Sequence, residues 1–240
     1  GTVTTGACLS VVSQTKADNM FQITPSASAA KVIANDNCFQ VCFTDPNQGT
    51  ASADYIASKG LATKVAVIYN SSDAYSSGIY DNFKAEAAAK GLDLVASEAF
   101  TGDSKQDFSS QLSKIKASGA ELIFLPIYYQ EASLILSQAK NAGITAKFFG
   151  CDGLDGLLNI ENFDKSLAEN VMLLTPFAAN ATDETTKKFV AAYNAKYDPS
   201  TLNQFAADAY DAVYIVKAAA EKAGVTGDMS VSDICNALKG

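Results

Sequence analysis

Hydroxyl side chains gather at two points where an apolar run stops. Phe21-Gln22-Ile23-Thr24 reads as a buried strand that Pro25 terminates, because proline has no N–H to give a sheet ladder, and Ser26, Ala27 and Ser28 follow at once. Gly1-Thr2-Val3-Thr4-Thr5-Gly6 has the same design, a short strand end running into hydroxyls and glycine before a helical stretch from about Ala7. Ligands of open parallel sheets sit at the C-terminal edge of the strands. Two such mouths side by side would aim Thr4, Thr5, Ser26 and Ser28, with their backbone N–H groups, at one small anionic or zwitterionic group. The same residue types also cap helices in ordinary βα turns, and on residue type alone both readings stand.

The chemistry that is missing narrows the field further. The 240 residues include no His, and all 18 cationic side chains are Lys. Without Arg there is no bidentate fork for phosphate or carboxylate; without His there is no imidazole base and no common metal ligand. A reactive-cysteine enzyme would want a histidine beside its thiol. No P-loop or G-x-G-x-x-G pattern occurs, so neither a nucleotide nor any other cofactor is expected. Gly150-Cys151-Asp152-Gly153 followed by Asp155-Gly156 resembles a calcium loop only loosely, lacking its ligand alternation and closing Glu, and reads as a turn after a strand; no metal site is expected. A net charge of −8 argues against nucleic acid and anionic membrane surfaces as partners.

Five cysteines form no evident disulfide framework. Cys38 and Cys42 lie in one extended run, where four residues span roughly 13 Å, so they are expected to be core thiols. Cys8 is left to pair with a segment outside this sequence, and Cys235 or Cys151 to be free.

These residues must be held by a framework, and one punctuation mark reveals it. Gly60, Gly91, Gly119, Gly143 and Gly224 each follow an Ala-, Lys- or Ser-rich helical pattern, where glycine supplies the left-handed residue that closes a helix. The pairings are a helix from about Asn47 with strand Val65 to Tyr69, then a helix from about Ser77 with strand Leu92 to Val95. Next come a helix from Asp107 to Ala117 with strand Leu122 to Leu125, and a helix from Glu131 to Ala142 with strand Phe148-Phe149. Such βα units build a parallel sheet covered by helices on both faces, an α/β fold. Phe108, Leu112 and Ile115 make one core-facing stripe at i, i+4, i+7. Asp45-Pro46 opens the first of these helices.

The ends break the alternation. Cys38 to Thr44 and Val171 to Thr175 read as extended runs, and long helical patterns follow at about Thr185 to Lys196 and Asn203 to Ala223, with a shorter one near Val231 to Leu238. Asp45 and Pro176 therefore read as crossings between two lobes. Residues 46–175 form the continuous lobe, 1–45 and 176–240 the discontinuous one, with hinges near 43–46 and 174–177. The discontinuous lobe has too few strands to bury its helices, which predicts about two βα units before Gly1 and a strand or more after Gly240.

Taken together, Thr5-Gly6 before a helix, Ile23-Thr24-Pro25-Ser26-Ala27-Ser28, and Val67-Ile68-Tyr69-Asn70 leading to Asp73-Ala74-Tyr75-Ser76-Ser77-Gly78 resemble the leucine/isoleucine/valine-type binding proteins of ABC importers. The likeness runs from Gly1 to about Ala223 without gaps. It implies a two-lobed type I periplasmic-binding-protein fold, each lobe a parallel sheet with helices on both faces, closing on a free amino acid. By resemblance, Thr5 and Ser28 hold the α-carboxylate, while the carbonyl of Ser26, the second hydroxyl and Asp152 of the other lobe meet the α-ammonium. Tyr75 and Tyr128 close over the ligand. An extracytoplasmic location, a monomeric state and an ABC permease as membrane partner are also implied. The chain departs from the family in carrying Asp152 where glutamate is usual, in lacking a disulfide that some members have at the position of Thr4, and in lacking the N-terminal βα units.

Two other functions fit this scaffold. One is the ligand-sensing domain of a receptor or regulator, told apart by an attached signalling or DNA-binding segment. The other is an amide hydrolase using Asp152 and Tyr128 as acid and base, which the absence of His and of a nucleophile elbow disfavours.

Overall fold

The computed structural model describes residues 1–240. In chain order the elements are α1 (Thr5–Leu9), α2 (Val12–Ala17), β1 (Gln22–Thr24), β2 (Cys38–Gln40), α3 (Asp45–Ser58), β3 (Lys64–Asn70), α4 (Ala74–Ala89), β4 (Asp93–Phe100), α5 (Ser109–Ser118), β5 (Leu122–Leu125), α6 (Tyr129–Asn141), β6 (Lys147–Gly150), β7 (Met172–Leu173), α7 (Glu184–Asn194), α8 (Gln204–Ala223) and α9 (Val231–Lys239). They fall into two compact units, Gly1–Thr44 with Leu202–Gly240, and Asp45–Thr201. The first change of unit coincides with the helix opened by Asp45-Pro46. The second falls after Thr201, so residues 176–201, assigned from the sequence to the discontinuous lobe, group with the continuous unit.

The continuous unit is built on a five-stranded parallel sheet in the order β4-β3-β5-β6-β7. Its central strand β5 is apolar and buried at every position, and β3 from Val65 to Ile68, because both faces are covered. Side chains alternate between faces, so Val65, Val67, Leu122 and Phe124 pack with Ile56, Ile79 and Phe83 from α3 and α4. Ala66, Ile68, Ile123 and Leu125 pack on the opposite face with Leu112, Ile115 and Ile135 from α5 and α6. Phe83 stacks on Phe124 with ring centroids 4.1 Å apart. The predicted stripe Phe108, Leu112 and Ile115 lies in this second layer, fully buried. Helices α3 and α4 come close enough that a Cβ on Gly49 would lie 2.5 Å from the Ile79 carbonyl oxygen.

All five punctuating glycines have positive φ, as the helix-closing role requires. Gly119 isolates that role, since at φ +69° a Cβ there would meet no atom within 4 Å. Gly119→Ala is therefore expected to cost about 1 kcal/mol through backbone conformation alone, lowering the thermal midpoint by roughly 2–4 °C, with no change in ligand affinity. A thermal melt beside a binding titration checks both halves.

The discontinuous unit holds a two-stranded parallel sheet, Gln22 pairing with Cys38 and Thr24 with Gln40. Here the structure corrects the extended runs. Of Cys38 to Thr44, only Cys38–Gln40 is strand, because β1 ends at Pro25 and offers its last acceptor, the Thr24 carbonyl, to the Val41 N–H at 3.0 Å. Beyond that point the chain leaves β1 and bends, the Cys42 carbonyl accepting from Gln40 Nε2 at 3.0 Å, so Cys42 is not on the strand. Likewise Val171 to Thr175 contributes only Met172–Leu173 to the sheet. Gly1 to Thr4 is not a strand, and the first helix begins at Thr5 rather than Ala7 and gives way to a second at Val12. All five cysteines are buried free thiols. Helix α8 runs beside β1 yet leaves Val213, Tyr214 and Ile215 exposed.

Candidate functional site

In the discontinuous unit the chain turns at the C-terminal end of β1, and hydroxyls organise the turn. Thr24 Oγ1 donates to the Thr2 carbonyl at 2.5 Å and accepts from the Ala27 N–H at 3.0 Å. Thr5 Oγ1 accepts from the N–H groups of Ser28 and Ala29 at 3.3 and 3.4 Å. An oxygen that accepts from backbone amides keeps its own proton to donate, so Thr5 is oriented as a donor. Ser28 lies beside it, wholly buried, and its Oγ has no hydrogen-bond partner within the protein. Ser26 is buried on the same turn. Thr5, Ser26 and Ser28 are thus brought together, while Thr4, also expected there, is exposed and outside the cluster.

In the continuous unit three neighbouring strands deliver one side chain each. Tyr75 stands at the start of α4 after β3, Tyr128 just before α6 after β5, and Asp152 in the short 3-10 turn Asp152–Leu154 after β6. Parallel strands all end at the same edge, which is why residues far apart in sequence converge there. The rings of Tyr75 and Tyr128 stack at 4.8 Å with planes 19° apart. Tyr75 Oη donates to Asp152 Oδ1 at 2.6 Å and accepts from the Gly153 N–H at 2.9 Å.

Burial pushes the Asp152 carboxyl up to about 6, against the opposing hydrogen bonds of Tyr75, Gln48 and the Gly153 backbone. Tyr75 is raised well above the ordinary tyrosine range, first by burial and then by the nearby Asp152 charge, so its hydroxyl stays protonated. Burial also raises the Cys151 thiol, whose sulfur lies 3.9 Å from Ser52 Oγ. No group of three or more His, Cys, Asp or Glu side chains is placed to hold a metal ion, and no helix is long and apolar enough to cross a membrane.

Two residues of this cluster escaped the sequence. Gln48 sits in the first turn of α3, among other polar residues, where a glutamine reads as solvent-facing, yet it is 1% exposed and its Oε1 accepts the Asp152 N–H at 3.2 Å. Its only sequence signal is Gly49 next to it, the glycine that lets α3 approach α4. Gly153 reads as a turn residue. A Cβ there would stand 2.6 Å from the Ile127 carbonyl oxygen, 2.7 Å from Tyr75 Oη and 3.2 Å from Tyr128 Cδ1, so its bareness is what allows the two tyrosines to close on Asp152.

A parallel α/β unit with an acidic residue at its strand edge, and a second unit with buried hydroxyls at the end of its own strand, define a solute-binding scaffold of the type I kind. The chain belongs to the periplasmic binding protein family, whose sequence pattern matches residues 1–240. It is 32% identical over 231 residues to Leu/Ile/Val-binding protein homolog 3 of Brucella melitensis, covering 95% of this chain and 61% of that protein. Among solved structures it is similar to a leucine-binding protein from Thermotoga maritima, with TM-score 0.84 and 26% identity over 99% of this chain and 67% of that one. A second is the branched-chain amino acid transporter substrate-binding protein of Streptococcus pneumoniae in complex with isoleucine, with TM-score 0.83 and 28% identity over 99% of this chain and 66% of that one. The resemblance drawn from the Thr5, Ser28 and Tyr75 segments is borne out in family and fold. The chain spans about three-fifths of the length of the curated relatives it matches.

Proposed function

We propose that the protein is an extracytoplasmic solute-binding protein of an ABC importer and that its ligand is a free aliphatic amino acid of the branched-chain type. One observation carries the reading: Ser28 buries a hydroxyl with no partner, directly beside the donor Thr5. A buried polar group left unsatisfied costs about 1–3 kcal/mol, which a fold tolerates where a ligand atom completes the bond. Ser28 and Thr5 are suited to a carboxylate, since both have a proton to give. Asp152, in the other unit, supplies the opposite sign for an ammonium, and the Ser26 carbonyl on the turn of Thr5 and Ser28 is a further acceptor for it. A zwitterion leaving water needs both charges met, or desolvation costs several kcal/mol per ion.

Tyr128 offers an aromatic flank for an aliphatic side chain. The names of the relatives, which bind leucine, isoleucine or valine, support the same ligand class. Because the carboxylate and the charge partner of the ammonium come from different units, binding should favour a state in which both engage the ligand, with residues 43–46, where the chain passes from one unit to the other, as one hinge. A membrane permease would recognise that state, and the protein acts as a monomer that binds without catalysis.

Ser28→Ala is the discriminating variant. It should weaken leucine binding about tenfold or more in a calorimetric titration, while the melt of the free protein stays constant or rises because an unsatisfied hydroxyl is gone. Unchanged affinity would mean that the hydroxyl belongs to the core and not to a ligand site.

A further inference from the structure

The hydrogen bonds around Tyr75 have a fixed direction. A backbone N–H can only donate, so the Gly153 amide at 2.9 Å makes Tyr75 Oη an acceptor, and the phenolic proton is left for Asp152 Oδ1 at 2.6 Å. We propose that Tyr75 is a positioning residue, which orients the Asp152 carboxylate and keeps it ionised for a cationic ligand group, rather than a wall that the ligand touches. The identity of that group as an α-ammonium rests on the function proposed above.

The surroundings leave the ring no other task. Tyr75 is 2% exposed, its face is stacked on Tyr128, and Gly153 presses against its hydroxyl so closely that a Cβ would collide. The titratable groups around Asp152 are Tyr75 from α4, Cys151 and Asp155 from its own turn, Tyr128 before α6 and, farther off beside Cys151, Asp45 of α3. Asp155 and burial favour the protonated carboxyl. Tyr75, Gln48 and the Gly153 amide favour the charged one, and Tyr75 is the largest of these. Taking away its hydroxyl should therefore leave burial less opposed and raise the carboxyl further.

The test is a ¹³C NMR titration of the Asp152 carboxyl in ligand-free protein, native and Tyr75→Phe, with leucine affinity measured at pH 6 and pH 8.5. The variant keeps the ring and should raise the Asp152 midpoint by about one pH unit. It should also weaken leucine binding about fivefold more at pH 6 than at pH 8.5. A ring that only packs would move neither, and an unmoved midpoint overturns the proposal. A raised midpoint with leucine affinity unaffected at both pH values would uphold the positioning of Asp152 and reject the ammonium site. In native protein, independently of any variant, the Tyr75 Cζ resonance should titrate with the same midpoint as Asp152; separate midpoints overturn the link.

Discussion

Asp152→Ala is expected to weaken binding of leucine by about 30- to 5,000-fold, the consequence of removing one side of a buried charge pair worth about 2–5 kcal/mol. The effect should depend on pH in a way that identifies the group. In the free protein the carboxyl titrates at about 6 instead of an ordinary 3.8. An ammonium ligand needs the ionised form, so native affinity should be level above pH 6 and fall below it, by about tenfold at pH 5. Asp152→Asn should flatten that profile. Folding stability moves the other way. Between pH 4 and 6 the native state holds a proton that the unfolded state has lost, so this group's contribution declines as pH rises through that window, by on the order of 3 kcal/mol, and is constant above it.

At pH 8, then, Asp152→Ala should leave the melt of the free protein unchanged or raised. The competing role, a helix cap, predicts the reverse: a lower melt by about 1 kcal/mol with affinity kept within about fivefold. The geometry disfavours a role as a cap alone, since the carboxylate accepts the Tyr75 hydroxyl at 2.6 Å. Calorimetric titration with a panel of aliphatic amino acids, beside unliganded melts at pH 5 and pH 8, separates the two.

Gly153→Ala should damage stability and binding together. The added methyl would meet the Ile127 carbonyl oxygen at 2.6 Å and Tyr75 Oη at 2.7 Å, closer than real Cβ contacts allow. The backbone oxygen belongs to the chain just after β5 and cannot turn aside, so the turn carrying Asp152 must shift. Overpacking of this kind costs about 1–3 kcal/mol. The same shift breaks the Gly153 N–H to Tyr75 bond that sets the phenol as a donor, so leucine affinity should fall by at least about tenfold as well. Gly119→Ala is the control, because it carries backbone strain without collision and lies away from the site. Equal effects of the two substitutions on affinity would show that Gly153 acts only through overall stability.

Much of this molecule is local physics written along the chain. Helix ends were legible because Gly60, Gly91, Gly119, Gly143 and Gly224 each supply a left-handed residue that other side chains adopt only at a cost. The covered parallel sheet was legible in runs such as Val65 to Tyr69 and Leu122 to Leu125, which are apolar on both faces. The end of β1 followed from the missing N–H of Pro25, and the spacing of Thr5, Ser28, Tyr75 and Asp152 carried the family.

Strand length beyond β1 was not legible, since how far Cys38 to Thr44 stays extended depends on the acceptors its neighbour has left. Nor were Gln48 and Gly153. A glutamine in the first turn of a helix and a glycine in a turn have many possible surroundings, and only the packing of α3 on α4 and the meeting of three strand ends put them on Asp152. The carboxyl's raised pKa and the direction of the Tyr75 hydrogen bonds are likewise tertiary facts. They arise from desolvation and from a backbone amide that can only donate, and neither is encoded at any single position.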